Sequence, residues 1–254
     1  MSLNKCLEIL VRYWPSFLLG IRTTLITAIS GTFFGLLIGL LAGGFRAIRP
    51  DKTVSSVKKT LKRFADILIR IYIEVFRGTP MMVQAVFIYY LVYTNIVHWD
   101  KMVAAIFVIS INTGAYMAEI VRSGIQAIDP GQNEAARSLG MSSMQTMMNV
   151  ILPQAIRNAF PAIGNELIVN IKDSSVLMII SITELMFQSN SIAGTTYRFT
   201  ETYFVTAMIY LLLTGISSVL LNAVENSMNH TTTSLPQSDT TFSSISLAEK
   251  GGRQ

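Results

Sequence analysis

The sequence predicts an all-α membrane protein with five spanning helices, N-terminus outside and C-terminus inside. Three observations carry that prediction. Hydrophobic residues make up 51% of the 254 positions and charged residues only 14%, against about 25% charge in soluble domains. The apolar residues gather in separate runs, each near the roughly 20 residues a helix needs to cross about 30 Å of hydrocarbon. Basic residues crowd into the stretch after the first run, which marks that side as cytoplasmic.

Each element follows in chain order. Residues 1–22 form an N-terminal segment with Glu8, Arg12 and a Trp14-Pro15 pair. This lacks the uninterrupted apolar core of a cleavable signal peptide, so insertion rests on the first span. That span runs from about Thr23 to Phe45, with Gly31, Gly35 and Gly39 every fourth residue. The spacing either lets a second helix approach closely or reflects ordinary glycine tolerance within a membrane. Arg46 to Arg70 holds eight basic residues against Asp51 and Asp66 and reads as a cytoplasmic loop. A helix then extends through about Phe76, breaks at Arg77-Gly78-Thr79-Pro80, where proline removes a backbone donor, and resumes as the second span. It ends at an outer rim of Tyr89, Tyr90 and Tyr93, followed by a short loop with Trp99 as an interface anchor. The third span covers about Met102 to Arg122, the fourth about Pro161 to Met186, and the fifth about Tyr203 to Ala223. Gln188 to Thr202 reads as a polar outer loop. The tail, 226–254, has eleven Ser/Thr between Ser227 and Ser246 and the composition of a disordered segment.

The net charge of +5 fits membrane-flanking lysines and arginines rather than nucleic-acid binding. One cysteine, Cys6, and two separated histidines, His98 and His230, give neither a disulfide framework nor a metal cage. No metal site and no cofactor is expected in this chain.

The stretch from 123 to 153 breaks the apolar pattern. Asp129-Pro130 is a good helix start, Gly140 is placed to end that helix in a left-handed turn, and Ser142 with Gln145 has capping-box spacing. Pro153 should stop or bend the second helix. The apolar residues of the pair (Ala135, Ala136, Leu139, Met141, Met144, Met148, Val150) are small or flexible. An interfacial helix would carry more Lys and Arg on its polar face; here Arg137 is alone before Arg157. The composition therefore favours a protein partner, with methionines able to adapt to its groove.

Glu134-Ala135-Ala136, then Gly140 after three residues, then Val150-Ile151-Leu152-Pro153 after nine, resembles the EAA motif of permease subunits of bacterial ABC importers. Val150 stands where that family usually has isoleucine. The stretches Glu74 to Pro80 (EVFRGTP), Gly114 to Gly124 (GAYMAEIVRSG) and Lys172 to Ser175 (KDSS) are similar to the polar amino acid subfamily. The likeness extends from about Pro15 to Ala223 and excludes the tail. It implies a type I importer permease core (MetI-like) over 23–223, in the bacterial cytoplasmic membrane. The implied partners are a second permease subunit, identical or similar, two cytoplasmic ATPase subunits carrying ATP and Mg, and an extracytoplasmic amino-acid-binding protein. It also implies that Glu134, Ala135, Ala136, Gly140, Leu152 and Pro153 couple to the ATPase. The chain has no GxxxxGK[ST] phosphate loop, so hydrolysis belongs to the partner and the chain is not itself an enzyme.

Ionisable residues inside spans are costly unless paired or facing water, which makes each one a candidate site. Glu119, Lys172 and Asp173 qualify, and Asn112 and Thr113 more weakly. The broken helix at Arg77, Gly78 and Thr79, with Gln84 one turn beyond, can offer backbone amides to a substrate carboxylate. Each also has a plainer reading: Glu119 pairing with Arg122, Arg77 with Glu74, Lys172 and Asp173 holding helices together. An importer for another solute (an opine, a peptide, an anion) fits the architecture, but FRGTP and AEIVRSGI resemble the amino acid subfamily. A polytopic membrane enzyme would need a convergent acid/base or metal cluster, and a passive channel would need no docking element.

Overall fold

A computed structural model describes residues 2–47, 55–95 and 98–230. Among the described residues there are ten α-helices: α1 (Leu3–Arg12), α2 (Trp14–Ala47), α3 (Ser56–Gly78), α4 (Met81–Asn95), α5 (Lys101–Gln126), α6 (Pro130–Ser138), α7 (Ser143–Thr146), α8 (Leu152–Asp173), α9 (Leu185–Thr196) and α10 (Phe199–His230). A π-helical turn (Met147–Ile151) joins α7 to α8, and a 3-10 segment (Ser174–Ile180) follows α8. No strand occurs among the described residues. By length and hydropathy α2, α5 and α10 can each cross a bilayer. Two bent pairs meet the same test: α3 with α4, bent by 114°, and the run from Ser143 to Ile180 with α9, bent by 57°.

The centre of the bundle is α2 against α5. A Cβ added at Gly31 would lie 2.2 Å from Ile109 Cγ2, at Gly35 2.8 Å from Thr113 Cβ, and at Gly39 2.3 Å from Met117 Cβ. Gly43 continues the stripe, with its added Cβ 2.6 Å from Ala118 O. Of the two readings of the Gly31/Gly35/Gly39 spacing, close helix approach is the realised one. A buried polar chain crosses this packing: Thr113 Oγ1 donates to Asn170 Oδ1 (3.1 Å), and Asn170 Nδ2 donates to Thr32 Oγ1 (2.7 Å). Asn170 and Thr32 lie 138 residues apart, and the chain ties α2, α5 and α8 with no polar group unmatched.

Several boundaries differ from the sequence expectation, each for a physical reason. The helix of the first span begins at Trp14 rather than near Thr23, because proline is tolerated in a first turn. Lys58 to Arg70 is helical and not a loop: Val57, Leu61, Phe64, Leu68, Ile71 and Val75 recur at helical spacing. Residues 48–54 of that expected loop lie outside the described residues. Pro153 neither stops nor sharply ends a helix. The preceding π turn, in which Leu152 N donates to Met147 O five residues back, carries the chain past it into α8, and Pro161 lies inside α8 as well. The expected outer loop from Gln188 is largely α9, whose first turn is capped by Glu184 and whose Leu185, Ser189, Ile192 and Ala193 are buried. Trp99 packs partly buried against Phe107 at 5.5 Å, and Tyr89 is in the core, so neither stands free at a rim. Helix α10 continues to His230, making 226–230 helical; 231–254 lie outside the described residues.

Candidate functional site

Local chemistry builds the 123–153 element much as its sequence dictates. Asp129 caps α6, its Oδ1 accepting from Gly131 N at 2.8 Å, with Pro130 as the first helical residue. At the other end Gly140 has φ +83. Gly140 N donates to Arg137 O (3.0 Å) and Met141 N to Ala136 O (3.2 Å), the paired bonds of a Schellman turn. Ser142 and Gln145 then form a complete capping box. Arg137 Nη1 braces the corner by donating to Ser143 Oγ at 3.0 Å.

The burial pattern gives this element two sides. Ala136, Met147 and Ile151 face inward. Glu134 and Ala135 are exposed, and Leu139 (85%), Met144 (54%) and Met148 (52%) present apolar surface outward. Leu152, half-buried, and the exposed Pro153 start α8. Below the element a cleft of about 560 Å³ is lined by Arg46, Arg122, Asp129, Asn133 and Met147, among others. The C-terminal end of α2 and the start of α6 therefore meet at one end of the molecule.

The intramembrane candidates separate into three groups. Thr79, Gln84 and Asn112 come together at the α3–α4 break. Pro80 cannot donate to Phe76 O, and Gln84 and Asn112 supply the missing partners. Gln84 Nε2 lies 2.9 Å from both Phe76 O and Thr79 O and 2.8 Å from Thr79 Oγ1. Asn112 Nδ2 donates to Gln84 Oε1 at 2.8 Å and to Phe76 O at 3.3 Å. These two amides hold the broken helix open by satisfying its orphaned carbonyls. Gly78 sits beside them, exposed, with nothing within 4 Å of an added Cβ.

The second group is charged. Arg77 lies over the Tyr116 ring at 5.4 Å and lines a cleft of about 380 Å³ with Tyr116, Glu119, Ser123, Asn158 and Glu166. Within it, Glu119 receives Arg122 Nε at 3.0 and 2.9 Å, also contacts Arg122 Nη2, and has Arg46 Nη1 at 3.8 Å. Two arginines thus neutralise Glu119, and the expected i,i+3 pair is present. Lys172 and Asp173 form the third group, exposed at the end of α8. Exposed charges on a spanning helix require water or a protein partner on that side.

Sequence reasoning missed Glu166 and Glu184. Glu166 lies in the same apolar run as Lys172 and Asp173, so the intramembrane-charge criterion selects it equally. Glu184 is fully buried, accepts from Met186 N (2.7 Å) and Phe187 N (2.6 Å), and receives the Tyr210 hydroxyl at 3.2 Å. Its role is to start α9 inside the bundle. Among the described residues no group of three or more His, Cys, Asp or Glu side chains is placed to hold a metal ion.

The comparisons with known proteins fit this geometry. The profile of the family described as binding-protein-dependent transport system inner membrane component matches residues 35–230. The glutamine transport system permease protein GlnP of Escherichia coli (strain K12) is 36% identical over 220 residues, covering 85% of this chain and 95% of that protein. The probable amino-acid permease protein YxeN of Bacillus subtilis (strain 168) is 32% identical over 225 residues, covering 87% and 95%. A solved structure described as an amino acid ABC transporter with histidines aligns with a TM-score of 0.74 at 39% identity, covering 86% of this chain and 96% of that one. An inward-facing MetNI methionine ABC transporter aligns at TM-score 0.66 and 20% identity, covering 90% and 99%, and shares the fold. The chain therefore belongs to the binding-protein-dependent transport system inner membrane component family, as a multi-pass ABC importer permease of the polar amino acid type.

Proposed function

We propose that this permease works as one of a pair, identical or similar, that carries a polar amino acid inward across the bacterial cytoplasmic membrane. Two cytoplasmic ATPase subunits drive it and hold the ATP and Mg, while an extracytoplasmic amino-acid-binding protein delivers the substrate. In this reading the chain crosses the bilayer five times, with α3–α4 and α8–α9 as broken spans, its N-terminus outside and its C-terminus inside. Helix α6 is the coupling helix. Glu134 meets a cation on the ATPase, Ala135 and Ala136 keep the approach close, and Gly140 returns the chain sharply toward Leu152 and Pro153. An amino acid carries one carboxylate and one ammonium, and the cleft between α5 and α8 offers both signs. Arg77 is assigned to the carboxylate, and Glu166, with Asp173 two turns along the same face of α8, to the ammonium. Glu119 is held by its two arginines, and Thr79, Gln84 and Asn112 maintain the helix break that brings Gly78 to the path. Lys172 is assigned to the facing permease subunit.

The observation that carries this reading is the rigidly capped α6 whose exposed side combines Glu134 and Ala135 with Leu139, Met144 and Met148. A docking surface must be preformed and apolar around its polar contact. Glu134→Trp changes an exposed side chain and leaves the fold untouched. It is expected to abolish co-purification with the ATPase subunit and transport-coupled ATP hydrolysis in reconstituted vesicles. Unchanged complex formation and unchanged coupled hydrolysis would show that α6 is not the docking helix.

A further inference from the structure

The transport reading leaves α1 without a task. This helix has three distinct faces. Cys6 and Ile9 are buried, 4% and 2% exposed, and join Phe17, Leu185, Ile192, Val205 and Ile209 in one apolar cluster. Lys5, Glu8 and Arg12 form a polar face. Leu3, Leu7 and Val11, each four residues apart, form an apolar face that is 68%, 52% and 76% exposed, and Trp14, the first residue of α2, is 47% exposed just beyond the turn. Three large apolar side chains in line on α1 require a cover that the described residues do not supply.

Position identifies the cover. Helix α2 runs 34 residues from Trp14 to Ala47, roughly 50 Å at 1.5 Å per residue, slightly more than the 40–45 Å of a bilayer with its headgroups. Ala47 lies at the α6 end, lining a cleft with Asp129 and Pro130. Helix α1 therefore stands at the opposite membrane boundary. Just past the turn, α2 also exposes Leu18, Leu19, Ile26 and Ile29, apolar side chains on the spanning helix that follows α1. Tyr197 (83% exposed) and Phe199 (50%) flank it beside Arg198, whose Nη1 donates to Glu8 Oε2 at 2.8 Å. Like Trp14 they are exposed aromatics, of the kind found at headgroup level. The chain turns at Tyr13 (φ −107, ψ 16), so α1 leaves the line of α2 instead of extending it.

We propose that α1 lies in the membrane–water interface at the face opposite the coupling helix, with Leu3, Leu7, Val11 and Trp14 seated in lipid and Lys5, Glu8 and Arg12 in water. The occupant of its apolar face is the bilayer itself. The helix fastens the start of α2 to the α9–α10 turn, through the Cys6–Ile9 cluster on one side and the Glu8–Arg198 pair on the other. The inference rests on the membrane assignment and is independent of the substrate and of the ATPase.

The test uses the full chain with Cys6→Ala, which removes its single cysteine, reconstituted in phosphatidylethanolamine–phosphatidylglycerol bilayers. Nitroxide labels are placed by Lys5→Cys, Leu7→Cys, Val11→Cys and, as a lipid-facing reference on α2, Ile29→Cys. Collisions with oxygen report lipid and collisions with a nickel chelate report water. Labels at 7 and 11 are expected to be oxygen-dominated and equally deep, about 5–10 Å below the headgroups, while the label at 5 is nickel-dominated. Three results overturn the proposal while leaving the membrane assignment standing. Nickel-dominated labels at 7 and 11 place the helix in water. Shielding of both from oxygen and nickel means that protein covers the face. A label at 11 about 6 Å deeper than that at 7, four residues of helical rise, makes α1 part of the span. A nickel-dominated label at 29 would overturn the membrane assignment, and the proposal with it.

Discussion

Replacing Gly39 with alanine should destabilise the protein, while the same change at Gly215 should not. On α2, a Cβ at position 39 falls 2.3 Å from Met117 Cβ, 2.7 Å from Met117 C and 2.9 Å from Ala118 N. Carbon atoms pack at about 3.5–4.0 Å, so α2 and α5 must part by about 1 Å locally. The clash involves backbone and Cβ atoms, so no rotamer change at Met117 relieves it. Overpacking of this kind costs about 1–3 kcal/mol, which outweighs the gain of up to about 1 kcal/mol from replacing a helical glycine. At Gly215, on the exposed side of α10, nothing lies within 4 Å of the added carbon, and only the gain remains. For a chain of this size about 1–2 kcal/mol corresponds to roughly 2–8 °C in Tm. The readout is thermal unfolding of the purified chain in detergent, followed by loss of the monodisperse fraction. If Gly39→Ala melts at or above Gly215→Ala, the α2–α5 interface is not at backbone contact and the account of the bundle's centre is wrong.

Two further predictions concern the break and the outer ion pair. Gln84→Leu removes the donor shared by Phe76 O and Thr79 O and leaves Asn112 facing an apolar group, so it should cost about 1–3 kcal/mol, read as a lowered melting temperature. Gln84→Glu, which keeps an acceptor for Asn112 but loses the donor, should lie no nearer to the parent protein. The Arg198 hydrogen bond and charge hold the Glu8 carboxyl below its ordinary value of 4.5. A depressed carboxyl stabilises the fold above that ordinary value, and the contribution disappears as pH falls below 4.5 through the folded-state value. Acid unfolding of the parent chain should therefore show a pH-dependent loss in that window that is smaller in Glu8→Gln, measured by parallel melts across the range.

What the sequence disclosed, and what it withheld, divides by the range of the interactions. The caps at Asp129 and Ser142, the left-handed Gly140 and the break at Pro80 each depend on residues within a few positions of one another, and each is legible. The glycine stripe of α2 was legible as a face but not as a partner, because Ile109, Thr113 and Met117 lie more than seventy positions away. Helix α9 was hidden by its own composition. Gln188, Ser189, Asn190 and Ser191 read as a loop, and only the distant contacts of Ser189 with Thr206 (2.6 Å) and of Glu184 with Tyr210 (3.2 Å) make a buried helix of them. Prolines misled in the other direction, since a membrane helix can pass a proline when a π turn or a neighbour absorbs the missing bond. The charged cleft was half legible. Intramembrane charge pointed to Glu119, yet which charges share a cleft depends on how α3, α5 and α8 pack.

That packing links the exposed α6 to the cleft in a specific way. The α6–α7 pair is inserted between α5 and α8, and those helices form opposite walls of the cleft, with Tyr116, Glu119 and Ser123 on one and Asn158 and Glu166 on the other. On the α5 side only residues 127–129 separate the two helices, and Ala127 N and Ile128 N are bonded back to Ser123 O and Ile125 O, so that joint has little slack. On the α8 side the π turn leads directly into the helix with no intervening loop. Next to this pair an added Cβ at Gly124 would stand 2.8 Å from Ala155 O, so α5 and α8 already touch at backbone distance there. A load applied at α6 would therefore be passed to both walls, which meet at the Gly124–Ala155 contact. Since the glycine stripe fixes α2 to α5, α2 must move with that wall. The π turn, whose hydrogen bonds can shift by one residue, is where the α8 wall has room to adjust its register.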